Sequence, residues 1–340
     1  MPHPTRSRKA TFRHVFASLM LWTSLSDAET SIGPVLTRGY GTTLFRIKMV
    51  IPTTGSEPLP DNTDLVGQSE LEYPLDVQLV GFRLRQEFQN GRGKAVGLSF
   101  SAWTNYTDPN NSMVDSDWFG SKVQSGTATS TVLFKFSRTE SETKLKWHGG
   151  EAGMDLGRYT LLGNPVSYGA SLRVDAFSMD MLGVRGWQRA PDQPPITLDT
   201  LSGQLVLTYA LIRVIPRIYA DMVLFERKWV TWNSLLSLSP ATMAWDHDDH
   251  VLRRKSSDTF AFGFELGYSL GFAFHLNSRM DLAIASDLYW SWTRGKMDQR
   301  FYGDDPFTDS EDETGLRIDD VDNRIIGLAG GISLGLNFFF

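Results

Sequence analysis

The stretch that decides the fold is Phe260–Leu276, which reads FAFGFELGYSLGFAFHL. Its even positions are all aromatic or aliphatic, whereas its odd positions carry Ala, Gly, Glu, Ser and His. Because side chains alternate between the two faces of a β-strand, this strand has one wholly apolar face and one small or polar face. With about 17 residues it is also longer than strands of soluble sheets usually are. The pattern predicts a transmembrane β-barrel, in which the apolar face meets lipid and the other lines the lumen.

The last segment of the chain, Ile326–Phe340, repeats this alternation and ends in three phenylalanines. Turn residues between alternating segments give ten strands, an even number as single-chain bacterial barrels require. We predict them at 34–51, 69–87, 95–107, 142–162, 168–189, 203–224, 229–240, 257–275, 279–302 and 323–340. Short and long connections alternate, which indicates an all-β, ten-stranded antiparallel barrel with short periplasmic turns and long extracellular loops. The long ones are predicted at 52–68, 108–141, 190–202, 241–256 and 303–322.

Composition excludes several other classes of protein. The chain has 340 residues, 41% of them hydrophobic, and no run near the roughly 20 apolar residues that a membrane-spanning helix needs. It has no cysteine, so disulfides, cysteine nucleophiles and thiolate metal sites are excluded. Its net charge of −6 is the opposite of what a nucleic-acid-binding protein shows.

The N-terminus predicts an export signal. Basic residues from Arg6 to Arg13 precede the mostly apolar segment Val15–Leu25, and small or acidic residues follow up to Ala28. This order is typical of a secretory signal peptide. We therefore predict a signal peptide at 1–28 and the outer-membrane barrel at 29–340.

Two polar clusters follow the third and the seventh predicted strand, so both are expected on the extracellular rim. The first contains Asp115 and Asp117, which point to the same side of an extended backbone. Two neighbouring carboxylates repel each other, and one of them is expected to hold a proton near neutral pH unless a cation lies nearby. An ordinary acidic loop is the alternative interpretation.

The second cluster is Asp246-His247-Asp248-Asp249-His250. The same alternation puts Asp246, Asp248 and His250 on one side, where Asp248 can orient His250 and fix its tautomer. A metal site is a competing interpretation, because His and Asp are suitable ligands. Together the two clusters indicate hydrolysis without a side-chain nucleophile, in which His250 deprotonates a water held by the aspartates.

At this point the sequence resembles a known family, the omptins, which are outer-membrane endoproteases. The resemblance rests on Met113-Val114-Asp115-Ser116-Asp117-Trp118 and on the spacing of Asp246, Asp248 and His250, each after the appropriate strand of a ten-stranded barrel. Ser69–Tyr73 and Leu161–Pro165 resemble the second strand and a periplasmic turn of that family. The resemblance extends, patchily, from about residue 31 over most of the chain.

The resemblance implies a role for each motif residue. Asp115 and Asp117 correspond to the catalytic aspartate pair, Asp248 and His250 to the Asp-His dyad, and Asp246 to an acid at the floor of the pocket for a basic P1 side chain. Lipopolysaccharide is implied as a lipid activator. The family's first strand commonly supplies a second pocket acid, but Gly41–Phe45 contains none, which leaves the preference for Arg or Lys open.

The sequence therefore predicts an endopeptidase in the bacterial outer membrane, with its active site facing outward and polypeptides as substrates. The alternatives are a non-catalytic barrel, such as an adhesin or structural protein, and a small-solute channel. A ten-stranded lumen filled with side chains is too narrow for a wide pore. A basic cluster, Arg253-Arg254-Lys255, either contacts anionic lipid headgroups or is simply exposed.

Overall fold

The fold is seen in a computed structural model, which describes residues 29–52, 63–89, 95–125, 128–189, 194–306 and 312–340. The signal peptide predicted at 1–28 lies outside the described residues. Twelve β-strands make up almost all of the described chain. They are β1 (Glu29–Pro52), β2 (Thr63–Pro74), β3 (Gln78–Gln89), β4 (Ala95–Asn105), β5 (Met113–Ser125), β6 (Ala128–Leu161), β7 (Asn164–Gln188), β8 (Ile196–Arg227), β9 (Val230–His250), β10 (Lys255–Asn277), β11 (Met280–Phe301) and β12 (Arg317–Phe339).

The strands form one closed antiparallel sheet, because β1 pairs with β12 along most of its length. The twelve strands amount to the ten predicted crossings, since β3 continues β2 and β5 continues β4 after short interruptions. β1 pairs with β3 over its first half and with β2 over its second half. In the same way β6 pairs with β4 and then with β5. The predicted ten-stranded barrel is confirmed.

The two rims of the barrel differ. Short turns at 162–163, 228–229 and 278–279 lie on one rim together with both ends of the described chain, and we call this the turn rim. The opposite end, which we call the loop rim, carries Val251–Arg253, a single 3-10 turn between β9 and β10. Among the described residues, no helix is long and apolar enough to cross a membrane.

The outer surface carries the apolar residues that the alternation placed there. On β10, Phe260, Phe262 and Leu266 are exposed, whereas Ala261 and Glu265 between them are buried in the lumen. Aromatic pairs lie at both ends of this outer band. Trp229–Phe274 and Trp232–Phe272 stack near the turn rim, and Trp245–Phe260 packs near the loop rim. Such girdles mark the two membrane interfaces of an outer-membrane barrel.

The lumen is filled in layers, as the inward positions of β7 show. Arg173 and Asp175 lie on the turn-rim side, and Asp175 pairs at 3.0 Å with both Arg173 and Arg213. Next come Phe177 and Met179, which belong to a buried apolar cluster spanning the lumen. The acidic motifs lie on the loop-rim side of this cluster. The apolar layer therefore separates a polar lower lumen from the chamber above it, which argues against an open channel.

Two of the predicted long loops are instead largely strand. Residues 108–141 were expected to be a loop, but β5 and the first third of β6 form a hairpin there that extends the barrel wall beyond the outer apolar band. Residues 131–136, which fall within this predicted loop, belong to β6 and pair with β5. Residues 241–256 were also expected to be a loop, yet β9 continues to His250 and β10 begins at Lys255. Both acidic motifs consequently sit on strands, whose hydrogen-bonded neighbours fix the direction of each side chain.

Candidate functional site

The first motif lies on β5, where the strand alternation separates its members. Asp117 faces the lumen and accepts a hydrogen bond of 2.6 Å from the hydroxyl of Ser137 on β6. Ser116 points the other way and accepts a hydrogen bond of 3.1 Å from Lys135, whose ammonium also lies over the ring of Trp118. A β-bulge follows Asp117. Ser137 thus orients one carboxylate of the pair.

Asp115 lies two residues earlier on the same face. Its Oδ1 is shielded from solvent and has no hydrogen-bond partner in the described part of the chain. Burial raises the pKa of Asp115 well above its usual range, and the nearby carboxylates of Asp117 and Asp248 raise that pKa further. Asp115 is therefore the member of the pair that is expected to hold the proton. Burial raises its pKa more than the repulsion between carboxylates does, on which the prediction was based.

The second motif forms the end of β9, and its members divide as predicted. Asp246 and Asp248 are buried on the inner face. His247 and Asp249 point outward: His247 contacts Asp258 at 2.8 Å, and Asp249 accepts a hydrogen bond of 2.9 Å from Tyr302. The strand therefore presents two carboxylates to the lumen, whereas Asp249 and His247 lie on its outer face.

His250 ends β9 and is held by Asp248. The His250 Nε2 atom lies 3.0 Å from Asp248 Oδ2. An ionised carboxylate can only accept, so Nε2 carries the proton in this contact and Nδ1 carries the lone pair of a neutral imidazole. Asp248 is 1% exposed, and none of the described residues hydrogen-bonds to its Oδ1. The arrangement leaves an oriented imidazole whose second nitrogen is available as a base.

The two motifs face each other, although β5 and β9 are not neighbours in the sheet. Asp248 is close enough to Asp115 to raise the pKa of that carboxyl. The structure thus brings Asp115, Asp117, Asp248 and His250 to one chamber at the loop rim. The chamber has an acid pair on one wall and an Asp-His dyad on the other, an arrangement that can hold and deprotonate a water.

The floor of the chamber contains polar oxygens without partners. Tyr73 on β2 and Tyr209 on β8 stack with ring centroids 4.2 Å apart, and neither hydroxyl has a hydrogen-bond partner within the described ranges. Both Asp246 oxygens are also buried and lack partners at full hydrogen-bonding geometry among the described residues, although Thr259 and Asn323 lie beside the carboxyl. The hydroxyl of Thr43 on β1 is a further buried oxygen of this kind. Buried acceptors are normally satisfied, so this set favours a ligand that brings donors.

A lysine that the sequence analysis did not assign to the site completes the loop rim. Lys255 begins β10 and is the direct cross-strand partner of His250. Burial, followed by repulsion from Arg253, lowers the pKa of Lys255, whereas the carboxylates of Asp248, Asp305 and Asp117 raise it. Arg253 itself is bound to Asp305 at 2.7 Å. Of the three basic residues expected at a lipid surface or in solvent, Lys255 therefore belongs to the chamber.

The metal interpretation finds no ligand set in the described ranges, where no three His, Asp or Glu side chains are grouped so as to hold a metal ion.

The sequence did not predict the residues that form the floor of the chamber. The sequence placed Tyr73 in the second predicted strand and Tyr209 in the sixth, with no sign that the two residues meet. Alternation along their strands predicts that both tyrosines point inward, but it does not predict which inward residues meet across the lumen.

No protein-family model matches this sequence, and no curated protein matches it. The fold does match solved structures. The crystal structure of the outer membrane protease OmpT from Escherichia coli is similar with a TM-score of 0.68 and 11% sequence identity, covering 93% of this chain and 98% of that chain. The β domain of the Bordetella autotransporter BrkA gives a TM-score of 0.25 at 11% identity, covering 92% of this chain and 100% of that one. At this identity the likeness to OmpT shows a shared fold, that of an outer-membrane β-barrel.

Proposed function

We propose that this outer-membrane barrel is an endopeptidase that cleaves exposed polypeptides with water activated between Asp115/Asp117 and Asp248/His250. The observation that carries the proposal is the contact of 3.0 Å between His250 Nε2 and Asp248, opposite a buried Asp115. The fold it shares with a solved outer membrane protease supports the same interpretation. A non-catalytic barrel has no need of a buried carboxyl oxygen that no described residue satisfies, since burying such an oxygen is unfavourable for folding.

The proposed reaction uses each group according to its contacts. A water lying between the walls donates one hydrogen bond to the acid pair and the other to His250 Nδ1. As the water oxygen attacks the peptide carbonyl, its proton passes to Nδ1 and Asp248 stabilises the resulting imidazolium. The imidazolium then gives that proton to the leaving amine. Asp117 is held by Ser137 throughout, which keeps the water on the side of the scissile bond.

The floor of the chamber supports a preference for basic P1 residues. Both Asp246 oxygens and the hydroxyls of Tyr73 and Tyr209 are buried, and no described residue meets them at full hydrogen-bonding geometry, although Thr259 and Asn323 lie beside Asp246. A guanidinium or ammonium group supplies several donors and a positive charge, and it satisfies such a set better than a neutral side chain does. The segment Gly41–Phe45, where the omptin resemblance leads one to expect a second acid, contains none, so Asp246 is the acid that we propose for this floor.

The outer face supports a lipid partner. Arg294 and Lys296 lie on the outward face of β11, on the loop-rim side of Trp292 in the apolar band, and both bind Asp322 on β12 at 2.8 Å. Arg324 is paired with Arg294 across the same strands. Cations just beyond an aromatic belt suit phosphate groups of lipid. We propose that the loop rim is extracellular and that these cations contact lipopolysaccharide, which the resemblance implies as an activator.

The test is cleavage of a quenched-fluorescence peptide library by the full chain refolded with and without lipopolysaccharide. We expect wild type to cleave, His250→Ala to be inactive, and His247→Ala to cleave like wild type. The two histidines belong to one motif, but His247 faces outward against Asp258. This pair therefore separates loss of the base from general disturbance of β9.

Two results would remove the proposal. One is the absence of cleavage by folded wild type under every lipid condition, which favours the non-catalytic barrel. The other is cleavage that survives His250→Ala. A chelator arm distinguishes metal-dependent hydrolysis, which stops on chelation, from the Asp-His mechanism, which continues.

A further inference from the structure

The proposed site has bases and acids but lacks an assigned group for the charge that the reaction creates. Attack of water on a peptide carbonyl moves the electron pair of the C=O bond onto oxygen. Stabilising this oxyanion with fixed donors is usually the largest single contribution to catalysis of acyl transfer. Asp117 and Asp248 are acceptors, the protonated Asp115 belongs to the pair that binds the water, and the proton held by His250 is needed for the leaving amine. A separate donor is therefore required.

Lys255 has the position that such a donor needs. It is the direct cross-strand partner of His250 in the β9–β10 hairpin. On β10, the alternate positions Ser257, Thr259 and Ala261 are all buried on the inner face, and Lys255 continues that series at the loop rim. Directly opposed side chains of an antiparallel pair have Cβ atoms roughly 5 Å apart. The ammonium thus enters the chamber beside the imidazole.

The surroundings of Lys255 leave its ammonium available. Its side chain extends past Phe301, with Nζ 6.0 Å from the ring centroid. Within the described ranges, no carboxylate lies within ion-pair distance of Nζ, although Asp117, Asp248 and Asp305 all act on it electrostatically. The neighbouring Arg253 is already bound to Asp305 at 2.7 Å. Lys255 is accordingly a cation held near the acid pair and the dyad without being neutralised by direct contact.

The other donors near the chamber are less suitable. The hydroxyls of Tyr73 and Tyr209 belong to the apolar floor, where both residues are almost completely buried. A peptide carbonyl lying between the two walls is above them. The side chain of Arg254 is exposed at the turn, in a left-handed backbone conformation with φ of 51°. Lys255 is the cation that shares a face with the dyad.

We propose that Lys255 is the oxyanion-binding residue of this site, donating a hydrogen bond from its ammonium to the carbonyl oxygen of the scissile peptide. This inference rests on the proposed peptidase function. The water oxygen bonds to the carbonyl carbon, the water proton moves to His250 Nδ1, and the carbonyl oxygen becomes an anion bound to Lys255. When the C–N bond breaks, the electron pair returns to form C=O, and His250 gives its proton to the departing amine. Lys255 keeps its own protons throughout.

The experiment compares steady-state cleavage of one good peptide by wild type, Lys255→Met and Lys255→Arg. We expect Lys255→Met to lower kcat by roughly 100- to 1000-fold, as the loss of an oxyanion donor does, with KM changed by about twofold or less. Lys255→Arg keeps the charge and donors, so it should recover at least about tenfold of that loss. The matched control is Lys228→Met, the same substitution at an exposed turn on the opposite rim, which should leave both constants unchanged.

A second measurement excludes a merely structural role. Binding of the same peptide to His250→Ala and to the double variant His250→Ala/Lys255→Met should be equal, because an oxyanion forms only during the reaction. If Lys255→Met does not fold, Lys255→Gln is used in the same way. A kcat for Lys255→Met within about threefold of wild type, or an effect confined to KM, would overturn this inference while leaving the peptidase proposal intact. Absence of cleavage by wild type would overturn both.

Discussion

Tyr73 and Tyr209 stack almost face to face, with ring centroids 4.2 Å apart and ring planes 12° apart, although they belong to strands on different parts of the barrel wall. Phe45 of β1 adds an edge contact to Tyr209 at 5.9 Å. The stack bridges the lumen directly below the acidic motifs. It therefore fixes the separation of the walls that carry those motifs, which links the packing of the core to the geometry of the site.

The stack should contribute to stability through its rings rather than its hydroxyls. We expect Tyr209→Ala to lower the unfolding free energy by about 3–5 kcal/mol, because it leaves a cavity under the chamber. Tyr209→Phe should change it by less than about 0.5 kcal/mol, since the hydroxyl has no partner to lose. Urea unfolding of the refolded barrel, followed by tryptophan fluorescence, measures both. A large loss in Tyr209→Phe would show that the hydroxyl is bound in the folded state.

Asp115 should make the barrel less stable as the pH rises. Burial, followed by Asp117, raises the pKa of Asp115, so the folded protein holds this proton more tightly than the unfolded chain does. Its contribution to stability is complete below the unfolded pKa of about 3.9 and is lost as the pH rises through the folded pKa. We therefore expect Asp115→Asn to gain stability relative to wild type between pH 4 and pH 8. Urea midpoints at the two pH values test the sign, and a relative loss at pH 8 would contradict it.

Asp246 should control the preference at P1. Removing a buried charge that pairs with a ligand costs about 2 kcal/mol or more. We thus expect Asp246→Asn to lower the ratio of kcat/KM for P1 Arg to that for P1 norleucine by about 30-fold or more. Thr43→Glu adds a second acid at a buried position paired with Tyr73 and should raise the same ratio. Equal ratios in wild type and Asp246→Asn would place the P1 side chain elsewhere.

The ion pairs of the lower lumen should be essential for folding but not for chemistry. Asp175 is completely buried between Arg173 and Arg213, at 3.0 Å from each. Asp175→Ala leaves two buried guanidinium groups short of a partner and should cost about 3–5 kcal/mol of stability. Asp258→Ala, which breaks an exposed contact with His247, is the control and should have no measurable effect. Urea midpoints of unfolding measure both effects. The fraction of Asp175→Ala that remains folded should cleave peptides at the wild-type rate.

The sequence predicted the crossings of the barrel and the direction of most side chains. Phe260–Leu276 was sufficient to assign a lipid face and a lumen face, because alternation is a local property of one strand. The same rule separated Asp246, Asp248 and His250 from His247 and Asp249. It failed at strand ends: 108–141 and 241–256 contain many polar residues and were expected to be loops. Hydrogen bonds from neighbouring strands hold these segments extended, and no local pattern encodes that pairing.

Alternation within single strands therefore determined what this protein is, a barrel with acidic motifs pointing inward at one rim. Closure of the sheet decided which inward residues meet. Tyr73 stacks on Tyr209, Asp248 acts on Asp115, and Lys255 stands beside His250. The first two contacts cross the lumen and depend on the stagger and tilt of every strand between them, which are collective properties of the closed sheet. The contact between Lys255 and His250 depends on the register of the β9–β10 hairpin, which the short turn after His250 sets. Asp117, on the opposite wall, acts electrostatically on Lys255 only because closure of the sheet brings the two walls together.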